Sequence, residues 1–254
     1  MIDIENIPLI DLHVHADARS KGGERIWLGE EVLELQNKEK MPYVLYLATH
    51  FDKVIKLAKA NPNKVGAVLW VNPLDNKIME EAEEKIKNNS DVVKGIKIHP
   101  AGHGYFVSLD TLNEVFRIAN ENNLVIVTHT GAENNEAGMF RPLMEKYPNT
   151  KLLLSHSFPI HEACEMVEDF ENVYVDTSYT VDNREAQLYL LNRIGKEKIT
   201  YSVDGPFWFP KNDKGKYVSQ FRNRAKEMCA WYKNDQDAIE HIFYKNAMRI
   251  LDLK

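Results

Sequence analysis

Short apolar runs alternate with amphipathic stretches along the whole chain. The apolar runs are rich in Val, Ile and Leu, as is typical of buried β-strands. The stretches between them have apolar residues at helical spacing, for example at Leu109, Leu112, Val115 and Phe116. The pattern predicts eight strand and helix units, with strands at residues 7–14, 43–49, 64–71, 92–98, 124–129, 151–155, 172–177 and 198–203.

Polar residues near the ends of the predicted strands indicate how the units assemble. His129 ends the fifth strand, His156 follows the sixth, and Asp204 follows the eighth. In a closed barrel the carboxyl ends of all strands meet at one mouth, whereas an open sheet holds its first and last strands apart. The sequence therefore predicts an α/β fold, a (β/α)8 barrel that forms a single domain over residues 1–254.

Alternation along a strand sends neighbouring side chains to opposite faces. In the fourth strand it places Lys97 and His99 on one face. In the first strand it predicts that Asp11, His13 and His15 face inward. The aliphatic residues between them are predicted to face outward: Ile10, Leu12 and Val14.

Composition agrees with such a fold and narrows the choice of partners. The chain has 254 residues, of which 44% are hydrophobic and 28% charged, and about 250 residues is the usual size of an α/β barrel. The formal net charge of -6 argues against nucleic-acid or anionic-membrane partners, which need clustered Lys and Arg. We therefore expect a small-molecule substrate, with no nucleic acid and no membrane as partner.

Two further features bear on the cellular setting. The only cysteines, Cys164 and Cys229, are far apart in the sequence and indicate neither a disulfide framework nor a thiolate metal site. The segment after Met1 has no basic and apolar leader pattern, and no apolar run approaches 18 residues. We expect a cytoplasmic protein.

The histidines at the predicted barrel mouth indicate a metal site. His13 and His15 are two residues apart on one strand, so both imidazoles can reach one cation. His129, His156 and Asp204 add three further nitrogen or oxygen donors at strand ends. A single histidine is more often structural, but five donors at one mouth favour metal binding.

The order of these donors resembles the amidohydrolase superfamily, and specifically its amidohydrolase-2 branch, which includes aminocarboxymuconate-semialdehyde decarboxylase and related lyases, hydratases and lactone hydrolases. The resemblance spans nearly the whole chain. Two departures concern the pocket wall. The branch commonly has glycines where Ser157 and Phe158 stand, and it usually has a small residue before the last aspartate and a bulky one after it, where this chain has Val203 and Gly205. The resemblance rests on residues 11–15 (DLHVH), 95–100 (GIKIHP), 128–131 (THTG), 147–156 (YPNTKLLLSH), 204–206 (DGP) and 246–251 (NAMRIL).

The resemblance implies a metal-dependent hydrolase that cleaves an amide, ester or lactone bond in a small substrate. A decarboxylase or hydratase of the same branch is the alternative, and a ligand-binding barrel without activity is a further one. Asp204 would bind the metal and act as general base, and His156 would stabilise an oxyanion or protonate the leaving group. One Zn2+ ion per chain is favoured, with Mn2+, Fe2+ or Co2+ as alternatives. Relatives often form dimers or larger assemblies, so a homo-oligomer is also expected.

Lys97 has three open interpretations. It could bind a substrate carboxylate, become a carboxylated ligand that bridges two metals, or be a packed structural lysine. The remaining candidates for substrate binding are His99, His103, Tyr105 and Trp208, and the arginines considered for an anionic substrate are Arg25, Arg184 and Arg222.

Overall fold

The computed structural model describes residues 4–16, 28–178, 183–206, 209–213, 215, 217–233 and 235–253. In this part of the chain eight parallel strands form one sheet in chain order. The sheet curls into a nearly closed barrel, which confirms the predicted (β/α)8 fold. The strands are β1 (Ile10–His15), β2 (Tyr43–Ala48), β3 (Val65–Trp70), β4 (Val93–Ile98), β5 (Val125–His129), β6 (Lys151–Ser155), β7 (Val173–Asp176) and β8 (Ile199–Thr200).

Helices connect successive strands and close the chain. A 3-10 turn at Ala137–Phe140 precedes the sixth helix, and a π-helical segment at His241–Lys245 lies between the last two. The α-helices are α1 (Gly29–Lys38), α2 (Phe51–Ala60), α3 (Asn76–Asn88), α4 (Pro100–His103), α5 (Leu109–Glu121), α6 (Arg141–Lys146), α7 (Ile160–Asp169), α8 (Arg184–Ile194), α9 (Phe221–Trp231), α10 (Gln236–Glu240) and α11 (Asn246–Leu251). None of the helices in the described residues has the length and apolar character that crossing a membrane requires.

Helix α5 illustrates how local sequence sets these elements. Ser108 caps its first turn, since the Ser108 hydroxyl accepts a hydrogen bond from Thr111 N at 3.2 Å. Its apolar face, which includes Leu112, Val115 and Phe116, is buried against the sheet side of the core. Each such side chain contributes about 1.5–3 kcal/mol by burial. The predicted helical spacing is therefore confirmed for these three residues, whereas Leu109 at the start of the helix is exposed.

Alternate residues of each strand enter two different cores. Leu45 and Leu47 of β2 pack with Val127 of β5 and Leu153 of β6 inside the barrel. Tyr46, between them on β2, belongs to the larger core that includes the buried faces of the surrounding helices. The barrel is thus filled by side chains over much of its length, and free space remains near its mouth.

The first strand departs from the predicted alternation. Its pairing with β2 shifts register between Asp11 and Val14, as in a β-bulge. Ile10 and Leu12 enter the inner core, whereas Val14 joins the outer one. The predicted outward position was thus confirmed for Val14 but wrong for Ile10 and Leu12, because the bulge breaks the two-residue period.

The eighth strand is shorter than predicted. Residues 198–203 were expected to form it, but only Ile199–Thr200 does. Beyond it, Asp11 Oδ2 accepts a hydrogen bond from Val203 N at 3.1 Å, and Gly205 O accepts one from His15 N at 2.8 Å. A side chain and single backbone contacts thus join β1 to the segment after β8.

The short helix α4 follows β4 at the barrel mouth. It forms because His99 Nδ1 accepts a hydrogen bond from Gly102 N at 2.9 Å and Pro100 starts the turn. Gly104 ends it with a φ of 74°.

Candidate metal centre

Two histidines of β1 and an aspartate after β8 converge at the barrel mouth. His15 Nε2 lies 2.9 Å and His13 Nε2 lies 3.4 Å from Asp204 Oδ1. One ligand atom from each of the three residues lies within 4.8 Å of the others. Both histidines are almost fully buried, and Asp204 is 13% exposed. The bulge in β1 and the contacts after β8 produce this convergence.

The donor set fits a divalent cation. Two atoms bound about 2.1 Å from one ion at a tetrahedral angle lie about 3.4 Å apart, close to the separations seen between the histidine nitrogens and Asp204 Oδ1. Two imidazole nitrogens and one carboxylate oxygen are typical protein ligands of zinc and related metals. Three protein ligands are the usual number in catalytic sites.

The protonation states also suit metal binding. Burial, with the charge of Lys97, lowers the pKa of His13 to about 4, and burial likewise lowers the pKa of His15. Burial raises the pKa of Asp204, but the nearby His13 and His15 outweigh it and hold that pKa below its usual range. At neutral pH both imidazoles are neutral and the carboxylate is ionised, which are the forms that bind metals.

Asp176, at the end of β7, orients the centre and was missed by the sequence analysis. Its Oδ2 accepts a hydrogen bond from His13 Nδ1 at 3.0 Å, so the His13 proton sits on Nδ1 and Nε2 is left for a metal. Its Oδ1 accepts hydrogen bonds from His156 N at 2.9 Å and Ser178 N at 3.0 Å. The available signal was the one used elsewhere, an ionisable residue at the end of an apolar strand.

The other predicted ligands lie beside the three donors. The His156 ring centroid is 5.3 Å from that of His13, and the His129 ring meets His156 edge-on at 4.5 Å. Lys97 Nζ lies 3.3 Å from His13 Nε2, and burial lowers the pKa of Lys97 to about 8 although Asp204 opposes the shift. The structure therefore brings all six predicted metal residues to one mouth but groups only three as a compact donor set.

The backbone is strained at the same place. His156, Ser157 and Asp204 have φ angles of 72°, 54° and 53°, a left-handed region that costs non-glycine residues roughly 1–3 kcal/mol each. The Ser157 hydroxyl donates a hydrogen bond to Asp176 O at 2.8 Å. Strain held by surrounding contacts is common at functional sites.

A cavity of about 560 Å3 opens above these residues. One wall is a series of stacked rings: His99 lies 4.1 Å from His129, and Trp70 lies 5.9 Å from His99, with interplanar angles of 12° and 10°. Phe158 and Phe209 add apolar surface. The cavity suits a small molecule with an apolar or planar part.

The predicted substrate-binding residues are only partly in this wall. Lys97 and His99 line the cavity, whereas the structure places His103 next to Trp70, with centroids 6.4 Å apart, and Tyr105 next to His103. Their contact with a substrate stays a prediction. Trp208 lies outside the described residues.

Neither of the two described arginines considered for an anionic substrate lines the cavity. Arg222 donates hydrogen bonds to backbone oxygens, including Glu39 O at 2.7 Å and Ile7 O at 3.1 Å, and so joins α9 to the end of α1 and to the segment before β1. Arg184 is exposed at the start of α8, and Arg25 lies outside the described residues. Arg224, which the sequence analysis did not single out, lines the cavity. Its position depends on how α9 crosses the mouth, which local sequence does not reveal.

Sequence comparison gives one family match. The family described as Amidohydrolase matches residues 47–253. That span covers β3 to β8 and begins within β2, so His13 and His15 lie before it. No curated protein gives a significant sequence match.

Structural comparison finds similar barrels. 5-Carboxyvanillate decarboxylase from Sphingomonas paucimobilis matches with a TM-score of 0.71 at 13% identity, covering 98% of this chain and 100% of that one. The same enzyme from Novosphingobium aromaticivorans, with manganese and a nitrobenzoic acid derivative bound, matches with a TM-score of 0.70 at 13% identity. The match covers 98% of this chain and 97% of that one. Dihydroorotase from Campylobacter jejuni matches with a TM-score of 0.65 at 16% identity, covering 98% of this chain and 84% of that one. At these identities the similarity establishes the fold alone.

Proposed function

The chain belongs to the amidohydrolase family, and from this premise we propose that it is a metal-dependent hydrolase that cleaves an amide, ester or lactone bond in a small anionic substrate. The observation that carries the proposal is the convergence of His13, His15 and Asp204 at the floor of the cavity. Asp176 orients one of these donors, as expected of a metal site prepared for its ion.

In the proposed reaction the metal ion and the protein side chains have different roles. A divalent ion at this centre supplies Lewis acidity, which activates water and polarises a carbonyl group. Asp204 holds its ionised carboxylate at the cavity floor, where it can orient a water molecule and take its proton. His156 lines the same cavity and is the second group that can exchange a proton with the substrate.

Two cationic side chains support an anionic substrate. Lys97 lies at the metal end of the cavity, and Arg224 lines it from α9. Arg224 pairs with Glu227 at 3.0 Å, and its side chain is 29% exposed, so it can also donate hydrogen bonds to a substrate carboxylate. A substrate with one group at the metal and an acid group at Arg224 fits both ends.

We propose zinc as the first metal to test, because imidazole-rich sites suit it. Manganese, which is bound in the Novosphingobium neighbour, is the second. We propose one ion per chain, because the described residues contain one compact donor set of this kind. A second ion would require a further ligand, and carboxylated Lys97 is the residue placed to supply it.

A carboxy-lyase is the second candidate function. The specific observation in its favour is that two of the similar barrels are decarboxylases. The stacked wall formed by Trp70, His99 and His129 would also accept a planar unsaturated acid. The two functions use the same residues and differ in what they release.

The test is a product assay on zinc-loaded and manganese-loaded protein. The substrates are a panel of lactones, amides and esters that carry a carboxylate, together with unsaturated dicarboxylic acids. Acid release without CO2 would support the hydrolase, and CO2 release would support the lyase. The matched control is His15→Ala, which removes a donor from the centre and should abolish either activity.

Full metal occupancy without turnover of any member of the panel would contradict both enzymatic proposals. It would favour the alternative of a ligand-binding barrel. Turnover that is unchanged in His15→Ala would contradict the assignment of the centre, because the activity would then not depend on this donor set.

A further inference from the structure

Ser178 and Asp176 form a hydrogen-bonded chain behind His156. Ser178 Oγ lies 2.6 Å from Asp176 Oδ1 and 2.9 Å from His156 Nδ1. Asp176 is fully buried and Ser178 is 4% exposed. Asp176 and Ser178 are therefore screened from solvent and must satisfy their hydrogen bonds within the protein. His156 is partly exposed and lines the cavity.

Counting protons along this chain fixes the direction of each hydrogen bond. Asp176 accepts from His13 Nδ1, His156 N, Ser178 N and Ser178 Oγ, as an ionised carboxylate does. A 2.6 Å contact between Ser178 Oγ and a carboxylate oxygen requires the hydroxyl proton to lie between them. A serine hydroxyl has one proton to donate, so towards His156 its oxygen can only accept.

We infer that Ser178 is a positioning residue that holds the His156 proton on Nδ1, so that neutral His156 presents an unprotonated Nε2 to the cavity. In an imidazole ring the two nitrogens lie on opposite sides of the Cε1 atom, so the nitrogen not engaged by Ser178 is the one free to act. His156 then accepts a proton or binds a cation through Nε2, and in its neutral form it has no proton to donate towards the cavity.

This arrangement revises the role expected from the sequence. His156 was expected to protonate a leaving group or stabilise an oxyanion, and both roles need a proton on the nitrogen that faces the substrate. In the inferred state Nε2 must first take a proton from water or substrate. The resulting imidazolium would still donate its Nδ1 hydrogen bond to Ser178 Oγ. The carboxylate of Asp176, which accepts from the Ser178 hydroxyl, would balance the positive charge.

The same carboxylate sets both histidines. Asp176 Oδ2 accepts directly from His13 Nδ1, and Asp176 Oδ1 acts on His156 through Ser178. His13 and His156 thus share one tautomer for two different geometric reasons. This makes His13 an internal control for any change made at Ser178.

The experiment is a two-bond 1H–15N correlation spectrum of zinc-loaded protein labelled with 15N-histidine, in which the His156 signals are assigned by their loss in His156→Gln. We expect the Nδ1-protonated pattern for His156 in the unchanged protein and in Ser178→Thr, which keeps a hydroxyl. In Ser178→Ala the pattern should move towards protonated Nε2, while the His13 pattern stays unchanged.

The effect of this tautomer on turnover rests on the proposed function, and it is tested in a separate experiment. Turnover of the best substrate should fall about 10- to 100-fold in Ser178→Ala and recover in Ser178→Thr. A His156 proton on Nε2 in the unchanged protein, or a pattern that Ser178→Ala does not alter, would overturn the inference. Because the spectrum needs no substrate, failure of the proposed function would not imitate either result.

Discussion

Among single residues, Asp176 has the broadest influence on the metal centre. The Asp176→Asn variant would place an amide NH2 or a single acceptor oxygen opposite His13 Nδ1, where the carboxylate now accepts a hydrogen bond at 3.0 Å. With the NH2 group there, His13 must carry its proton on Nε2, which blocks that nitrogen as a ligand. We expect zinc affinity to fall roughly 10- to 100-fold, measured by competition with a chromophoric chelator.

Asp169→Asn is the matched control for this change. Asp169 is a half-exposed carboxylate that pairs with Arg141 at 2.6 Å, outside the cavity lining. Its replacement by Asn should leave zinc affinity unchanged. Equal affinities in the two variants would mean that Asp176 does not orient a metal ligand.

Arg224 carries the prediction about substrate charge. Arg224→Gln removes a cation from the cavity wall but keeps a polar side chain. A charge-assisted hydrogen bond contributes about 1.5–3 kcal/mol, which corresponds to a KM increase of about 10-fold or more for a carboxylate substrate, with a smaller effect on kcat. The control is Arg193→Gln, which changes an arginine that pairs with Glu168 on a helix surface. An unchanged KM in Arg224→Gln would show that another group binds the acid.

The sequence predicts individual ligands better than the groups that orient them. His13, His15 and Asp204 could be proposed because imidazole and carboxylate groups at apolar strand ends are chemically out of place. Asp176 gave the same signal at β7, but its role depends on a contact with His13, 163 residues away in the sequence. Arg224 gave no signal, since a helical arginine is usually solvated and only packing brings it to the cavity.

At the scale of the elements, the junction between β1 and β8 is the weak point of the barrel. β8 has only two residues, and the buried carboxyl group of Asp11 accepts hydrogen bonds from His13 N at 2.8 Å, Val203 N at 3.1 Å and the Ser202 hydroxyl. Asp11→Ala leaves these donors without their acceptor, at about 1–3 kcal/mol each. We expect the free energy of unfolding in urea to fall by at least about 3 kcal/mol.

The comparison for Asp11→Ala is Asp91→Ala, which alters an exposed aspartate just before β4. That variant should stay within about 0.5 kcal/mol of the unchanged protein. If Asp11→Ala unfolds at the same urea concentration as Asp91→Ala, the junction does not depend on this carboxyl group.

Element positions were largely predictable, and their irregularities were not. Apolar runs bounded by polar segments located all eight strands, because burial on both faces leaves a local pattern. The bulge between Asp11 and Val14 and the early end of β8 depend on register with distant strands. The short helix α4 was not among the predicted elements, and it forms because His99 and Pro100 start a turn after β4.

At the scale of the whole molecule, metal binding should be visible as folding stability. Two of the three donors lie on β1 and the third follows β8, so an ion held by them links the first strand to the segment after the last. A ligand that binds only the folded state adds about 2.7 kcal/mol at 100 times its Kd. For a chain of this size each kcal/mol raises Tm by about 2–4 °C, so zinc should raise Tm by roughly 5–10 °C.

Two histidine variants make that measurement specific to the centre. His15→Ala removes a donor, and His161→Ala removes an exposed histidine of α7. Scanning calorimetry with zinc, and with zinc followed by a chelator, should show a reversible rise in Tm for the unchanged protein and for His161→Ala, and none for His15→Ala. The same rise in His15→Ala would place the stabilising ion elsewhere on the molecule, and the barrel mouth would lose its assignment as a metal centre even if the fold and family are unchanged.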